Sequence, residues 1–424
     1  MRILILSDEP WSDSANGNNV FTNWFRGFDA EFASIYCSPG LPDNACCSRY
    51  FQVTDKMMAK SLLGGKRAGR AFAGQGTDSS ASAPEAEDRA LYARLKKITT
   101  EPLRLAREWL WLLGRYDLAA LRAFVEDFAP DIVFSIRMGT MKLLRLERII
   151  HEMTDAPFYA FVGDDEYSLR QFSLSPTFWL RRFGVRRSLR KNVRFYRKYY
   201  CMTREQADYY ARIFPCETGV LNKCGDFSRP IPTHSAHTPI VLIYAGKLYC
   251  NRWKVLRTIA KTLQSFNRDA IRFQLRIYTR DRITPAQNRA LNDGRSSILM
   301  GAAAPQELPK IYAQADIALH VESSDLKNRL ATRLSFSTKL IDCMESGCAV
   351  MAFCWDQQAG YRHLERTGSG FCVSDAASLS DVLQSILNDP ALLDKYALRA
   401  QQTGEQYHKR ETIQAMLKAD FSCD

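Results

Sequence analysis

The sequence has no run approaching the roughly 18 uninterrupted apolar residues that span a bilayer. Its densest patches, Trp109 to Leu113 and Pro239 to Ala245, are far shorter. The opening Met1 to Pro10 turns acidic at Asp8 and lacks a small-residue cleavage site, so it reads as a buried first strand and not as a signal peptide. There is no C-x-x-C pair among the 12 cysteines, and none of the 6 histidines stands near a cysteine at metal-ligand spacing. That excludes a structural zinc module and points to a reducing cytosol. No G-x-G-x-x-G is present, which leaves nicotinamide and flavin binding without support. No helix-turn-helix, zinc or RNP-type pattern and no fixed-period repeat is visible.

What is present is a chain of 424 residues, 46% hydrophobic and 11% aromatic, too long for one ordinary core and suited to two domains. The net charge is +12, and Arg181 to Lys198 alone carries nine basic residues and no acid. Helical spacing there places Leu189, Val193, Tyr196 and Tyr200 on an apolar seam, with Arg182, Arg186, Arg190, Arg194 and Lys198 on another face. Three readings of that face compete: a solvated surface, a contact with anionic lipid, or nucleic acid, the last ranked lowest because no recognition motif accompanies the charge.

Short apolar runs alternate with helical patterns throughout, the signature of parallel sheets crossed over by helices, so the expected class is α/β. The strands expected in the first half are Arg2 to Ser7, Ala33 to Cys37, Ile132 to Ile136, Phe158 to Val162 and Tyr199 to Met202. Helices are expected at Val20 to Phe28 and within Leu103 to Phe128. Residues 64–90, rich in Gly, Ala and Ser, read as a mobile insertion. The proline-rich Ser228 to Pro239 marks a domain boundary, giving an N-terminal domain over 1–230 and a C-terminal domain over 238–400. A final helix over 401–424 is expected to pack back toward the first domain. The second half repeats the alternation, with strands at Ile240 to Ala245, Phe273 to Tyr278, Ile298 to Met300, Ile317 to Val321 and Ala349 to Phe353. Its helices are expected at Lys254 to Phe266, Glu307 to Ala313 and Thr338 to Ser346. Two Rossmann-like doubly wound domains facing across a cleft are expected, with the chemistry just after the strands.

The loop after the first strand, with Asn16, Gly17 and Asn18, offers backbone N–H groups to a phosphate or sugar hydroxyl; an ordinary turn is the alternative. After Ile240 to Ala245 comes Gly246-Lys247-Leu248-Tyr249-Cys250-Asn251-Arg252, in which two cations five apart suit a diphosphate, unless each is a plain surface charge. Ser337-Thr338-Lys339 would cap the next helix and meet an anion, and Asp342 one turn on suits two ribose hydroxyls; a simple capping box is the bland alternative. Asp164, in Gly163-Asp164-Asp165-Glu166, stands at a strand's carboxyl end and is the candidate to orient or deprotonate an acceptor hydroxyl, against a metal pair or a helix-start cluster. His320 ends another strand and reads as either a cleft residue or a satisfied core histidine. Gly301 is a positional candidate for contact with the base.

These motifs resemble the two-Rossmann GT-B glycosyltransferases, in particular the retaining bacterial enzymes (group 1, family 4-like) that build cell-surface polysaccharides. Members of that group carry an Arg and a Lys five apart where Lys247 and Arg252 stand with the types exchanged. They also show an acidic-Ala-Met-Ala-x-Gly turn before Pro-Val, matched here by Asp342-Cys343-Met344-Glu345-Ser346-Gly347-Cys348-Ala349-Val350. In many members a second glutamate lies eight residues before the ribose-binding acid; that position here is Leu334.

The resemblance implies transfer of a hexose-like sugar from a nucleotide-diphosphate donor to a saccharide or lipid-linked acceptor, metal-independent and with retention. The N-terminal domain, 1–230, would bind the acceptor and the C-terminal domain, 238–400, the nucleotide sugar, with Lys247 and Arg252 taking the phosphate charge and Asp342 the ribose. No cofactor is expected beyond the nucleotide-sugar co-substrate, and no nucleic-acid partner. The expected location is the cytoplasm, with peripheral contact at the inner face of the membrane through Arg181 to Lys198 and the Trp109 to Leu113 patch. A non-hydrolysing nucleotide-sugar epimerase and a catalytically silent binding subunit of a polysaccharide-assembly complex are the alternatives.

Overall fold

The computed structural model describes residues 1–13, 19–64, 66–73, 100–228 and 236–422. The chain divides into two compact units. Unit 1 holds Met1–Leu169, Ser173–Asn222 and the chain from Gln414 onward; unit 2 holds Arg170–Phe172 and Lys223–Ile413.

Unit 1 is built on eight strands: β1 (Arg2–Ser7), β2 (Glu31–Tyr36), β3 (Arg49–Gln52), β4 (Arg70–Ala73), β5 (Ile132–Arg137), β6 (Phe158–Val162), β7 (Tyr196–Cys201) and β8 (Glu217–Val220). They lie in the order β4-β3-β2-β1-β5-β6-β7-β8, all neighbours parallel except β3 and β4. Because β1 is flanked by strands wound in opposite directions, the β1/β5 junction is the switch point of this sheet. Strands buried on both faces read as near-continuous apolar runs, and Ile3 to Leu6 and Val133 to Phe134 are wholly buried. Aromatic side chains close one face: Trp24 meets Phe161 edge-on at 4.7 Å and Phe134 at 6.2 Å. The last helix, Arg410–Ser422, supplies the unit with Asp420, which accepts from Lys198 Nζ at 2.7 Å and from the Tyr200 hydroxyl at 2.5 Å.

Unit 2 has six parallel strands: β9 (Ile240–Ala245), β10 (Phe273–Tyr278), β11 (Ser297–Gly301), β12 (Ile317–Val321), β13 (Ala349–Phe353) and β14 (Phe371–Val373). Their order, β11-β10-β9-β12-β13-β14, puts its switch point between β9 and β12. A separate core forms around Leu242, Leu275, Ile317 and Met351, all fully buried.

Several expectations change. The helix expected through Lys198 is Pro176–Asn192, and the chain then enters β7. Tyr196 and Tyr200 therefore belong to a strand. Both are buried in the sheet, where aromatic and β-branched side chains pack best, so tertiary burial overrides a helical spacing that was real only as far as Leu189 and Val193. The helix expected through Phe28 is Asn19–Phe25, stopped near Gly27, whose φ of 74° is left-handed. Residues 70–73, inside the stretch expected to be an insertion, pair as β4 with β3. The rest of that stretch from residue 74, and residues 229–235 of the proline-rich segment, lie outside the described residues.

Candidate functional site

β9 delivers Gly246 and Lys247 to the carboxyl edge of unit 2 at its switch point. The backbone then passes through Cys250 and Asn251 with φ of 55° and 61° before the Arg252–Phe266 helix begins. Two consecutive non-glycine residues in the left-handed region are uncommon and cost free energy, which the surrounding structure must supply. It does so through specific bonds. Leu248 N donates to Asp281 at 2.5 Å, the Tyr244 hydroxyl to the Lys247 carbonyl at 2.6 Å, and Asn251 Nδ2 to Asp325 at 3.1 Å. Asp325 also caps the Leu326–Thr332 helix and accepts from Ser323 at 2.6 Å. Against the slight burial that pushes it up, those hydrogen bonds hold its carboxyl well below the usual carboxylate range.

Arg252 is buried and forked onto Glu322, the residue after β12, with Nε to Oε2 at 3.0 Å and Nη2 to Oε1 at 2.6 Å. Its guanidinium also lies 4.5 Å from the Tyr249 ring centre. Burial disfavours the charge and Glu322 more than restores it, so the group is firmly cationic. The pair fixes the end of β9 to the end of β12, and it leaves less of the Arg252 fork for a ligand than the sequence suggested.

Lys339 is the cation that is left over. It opens the Lys339–Glu345 helix, and its ammonium lies against the Gly246 backbone, where a side chain at position 246 would collide with it. It sits 5.6 Å from the Tyr244 ring centre, and among the described residues no carboxylate is paired with it. Burial, and then Arg252, push its pKa down. On the same edge Arg329 stacks 4.3 Å over Trp355, with its Nε buried and unbonded. The edge therefore concentrates positive charge and offers an anion several donors.

The structure brings Gly246, Lys247, Arg252, His320 and Lys339 together around the β9/β12 junction, with Lys247 exposed to solvent. Asp342, one turn on from Lys339, accepts from Lys223 Nζ at 2.5 Å. Ser337 and Thr338 precede the helix, but the expected side-chain cap is not made. Thr338 has helical φ and ψ, and Leu340 N bonds to the Ser337 carbonyl at 2.9 Å, so the turn closes on backbone alone. His320 is buried as a core histidine would be, with its Nε2 near the Gln358 side chain though outside good hydrogen-bond geometry. Burial lowers its pKa and keeps it neutral. Gly301, with φ of 85°, ends β11 two strands away along the same edge.

Asp164 belongs to unit 1, exposed after β6, its carbonyl accepting from Gln206 at 3.1 Å. Its neighbours are structural. Asp165 accepts Tyr167 N and Ser168 N at 3.1 and 2.8 Å, and Glu166 joins Glu147 in holding the buried Arg137. Asn16, Gly17 and Asn18 lie outside the described residues.

Glu322, Arg329 and Trp355 escaped the sequence reading, as did a cluster at the β1/β5 switch point of unit 1. There Lys142 Nζ reaches Asp8 at 2.7 Å and the Cys37 carbonyl at 3.1 Å, while Glu108 accepts Met141 N at 2.9 Å. Burial, then the Asp8 charge, push the Glu108 carboxyl up to about 7. The available signal was Asp8, an acid directly after a buried strand.

The cationic run is largely spent inside unit 1. Arg181 pairs with Glu101, Arg182 with Asp165, Arg186 bonds the Tyr167 carbonyl, Arg190 the Tyr167 hydroxyl, and Lys198 pairs with Asp420 and Glu217.

No family model matches the sequence, and no curated protein sequence matches it significantly. Solved structures are similar in fold. Sucrose-phosphate synthase from Thermosynechococcus elongatus aligns over 99% of this chain and 97% of its own, at a TM-score of 0.62 and 13% identity. HepE from Anabaena in complex with UDP aligns over 100% of both chains at 0.62 and 12%. The E. coli trehalose-6-phosphate structure bound with UDP-2-fluoro glucose aligns over 100% of both at 0.62 and 10%. The chain has the fold of these proteins, two Rossmann-like units of the GT-B type.

Proposed function

We propose that the protein transfers a sugar from a nucleoside-diphosphate donor to an acceptor hydroxyl, with the donor at the carboxyl edge of unit 2. The observation that carries this reading is Lys339, a part-buried ammonium with no carboxylate paired to it among the described residues, held against Gly246 at the switch point. A cation kept there against its own desolvation suits an anion that arrives with the ligand. That HepE holds UDP and the E. coli protein UDP-2-fluoro glucose on the same fold supports a nucleotide sugar.

In the proposed reaction the acceptor oxygen bonds the anomeric carbon on the same face from which the diphosphate departs, as the bond from that carbon to the diphosphate breaks. The electron pair leaves on the terminal phosphate, where Lys339 and Lys247 meet it with Arg252 behind them. The acceptor proton passes to Asp164, on the unit assigned to the acceptor. Asp342 exchanges Lys223 for the ribose hydroxyls. Fixed cations replace a divalent ion, and the anomeric configuration is retained. The acceptor is a lipid-linked saccharide of cell-surface polysaccharide synthesis, met at the cytoplasmic face of the membrane. Among the described residues no helix is long and apolar enough to cross a membrane.

The occupied Arg252 fork and the buried Leu334 favour one second reading, a nucleotide-binding subunit without turnover. A thermal-shift screen with UDP, GDP, dTDP, ADP and CMP tests the site, since a ligand at 100 times its dissociation constant adds about 2.7 kcal/mol. A nucleotide-selective shift supports donor binding, and the absence of any shift removes it. Transfer of sugar to a glycolipid acceptor, followed by NMR, separates the enzyme from the silent subunit and reads the anomeric outcome.

A further inference from the structure

Helix Glu101–Leu113 buries Trp111 and packs Leu110 and Leu112 on the core, yet its outer face is apolar too. A helix on the outside of a soluble unit normally sends its polar face to water. Here Pro102, Ala106, Trp109 and Leu113 fall on one stripe at 100° per residue, and all are exposed, Trp109 at 52% and Leu113 at 61%. Most of the charges point at neighbours instead. Arg107 bonds Asp55 on the Asp55–Leu62 helix at 2.9 Å, Glu101 pairs with Arg181 on Pro176–Asn192 at 3.3 Å, and Glu108 accepts from the start of the Met141–His151 helix. Both flanking helices pack against this one and continue its character. Leu63, which closes the Asp55–Leu62 helix, is 87% exposed, and Leu180 and Phe183 are exposed on the other side.

The charge of this face has one sign. The three helices contain three carboxylates, Asp55, Glu101 and Glu108, and each is engaged within the unit. Lys60, Lys66, Arg67, Arg187 and Lys191 remain exposed around the apolar residues. A groove of about 460 Å³ runs beside Leu63 between Lys60, Lys66 and Arg67. An apolar strip rimmed by cations, with every acid turned inward, complements an anionic lipid surface: rings and leucines enter the boundary between headgroups and acyl chains while the cations meet phosphates.

We infer that the outer face of the Asp55–Leu62, Glu101–Leu113 and Pro176–Asn192 helices docks unit 1 on an anionic membrane. Of the two segments expected to meet lipid, this keeps the Trp109 to Leu113 stripe and narrows the cationic run to Arg187 and Lys191, since Arg181, Arg182, Arg186 and Arg190 are engaged by Glu101, Asp165 and Tyr167. It deepens the proposed function by naming the surface that meets a lipid-linked acceptor's bilayer, and rests on the lipid part of that reading alone.

The test is sedimentation of the full chain with vesicles of phosphatidylcholine containing about 30% phosphatidylglycerol, at low salt and at about 0.5 M salt. The wild type should pellet at low salt and release at high salt. Trp109→Glu with Leu113→Glu should weaken binding about tenfold or more, and Arg187→Glu with Lys191→Glu should erase the preference for anionic vesicles. Melting temperature and the nucleotide-induced shift, read on the same samples, should stay at wild-type values, which keeps failure here distinct from failure of the donor site. Wild type left in the supernatant, or Trp109→Glu/Leu113→Glu pelleting like wild type, overturns the inference. So does a solution dimer that this double variant splits while the wild type ignores vesicles, because the face then belongs to a second copy.

Discussion

Lowering the pH should loosen unit 2 through two buried histidines. His363 on the Ala359–Thr367 helix and His408 at the end of Ala391–His408 meet Nε2 to Nε2 at 3.3 Å, beside Phe336 and Tyr407. One ring must donate and the other accept, so the two cannot both be charged, and burial favours the pair with both neutral. His408 Nδ1 is buried without a partner, which favours the tautomer in which His408 Nε2–H donates and Nδ1 keeps only a lone pair. Burial, and for His363 also Arg366, lowers its pKa to about 4; burial, then His363, lowers that of His408 to about 3. Both folded values lie below the unfolded value of about 6.5, so the unfolded chain binds more protons in that window. The stability the pair supplies is complete above pH 6.5 and is lost as pH falls toward 4 and then 3. Each histidine contributes a limiting slope of about 1.4 kcal/mol per pH unit, and the pair about 2.4 near pH 5.5, where the unfolded imidazoles are about nine-tenths protonated. Glu108, raised to about 7, acts with the opposite sign, so the difference between two proteins is the clean quantity. Urea unfolding from pH 5 to 7 should show wild type losing stability on acidification more steeply than His363→Gln/His408→Gln, by about 2 kcal/mol per unit averaged over that range. Equal slopes would refute the reasoning.

Three substitutions follow from the packing of unit 2. Glu322→Ala strands the buried Arg252 charge and should cost about 3 to 5 kcal/mol in denaturant unfolding, while Arg252→Met/Glu322→Leu should recover most of it. Gly246→Ala should fold, because its new methyl overlaps only the mobile end of Lys339 and otherwise presses lightly on the Tyr244 hydroxyl at 3.1 Å, yet it should displace that ammonium and weaken nucleoside-diphosphate binding in calorimetry about tenfold. Gly404→Ala presses on the rigid ring of buried Phe227, so a melting scan should show a net loss of about 1 to 3 kcal/mol, despite the roughly 1 kcal/mol that alanine gains in a helix.

The central strands could be read from the chain because parallel strands buried on both faces leave unbroken apolar runs. Arg2–Ser7, Phe158–Val162, Ile240–Ala245, Phe273–Tyr278, Ile317–Val321 and Ala349–Phe353 have the bounds that pattern suggested. The short outer strands, Arg49–Gln52, Arg70–Ala73 and Glu217–Val220, were hidden because few of their residues are apolar and their pairing comes from the neighbouring strand. The segment from Leu189 to Tyr200 satisfied a helical period by coincidence, and only the sheet's demand for Tyr196 and Tyr199 decides against it. In the site, the strand ends named the place, whereas the partners did not show. Nothing in Leu319-His320-Val321-Glu322 tells a reader that Glu322 occupies the Arg252 fork. Nothing in Ser337-Thr338-Lys339 says that Lys339 folds back on Gly246.

The most direct test of the account is calorimetric titration of UDP, and of the other nucleoside diphosphates in turn, into wild type and Lys339→Ala. The account predicts saturable binding of one nucleotide, lost about tenfold or more in Lys339→Ala, while the unliganded variant melts no lower than wild type because the ammonium it removes is desolvated and lacks a paired carboxylate. Equal affinity in the two proteins, or a Lys339→Ala protein that melts well below wild type without ligand, would contradict it.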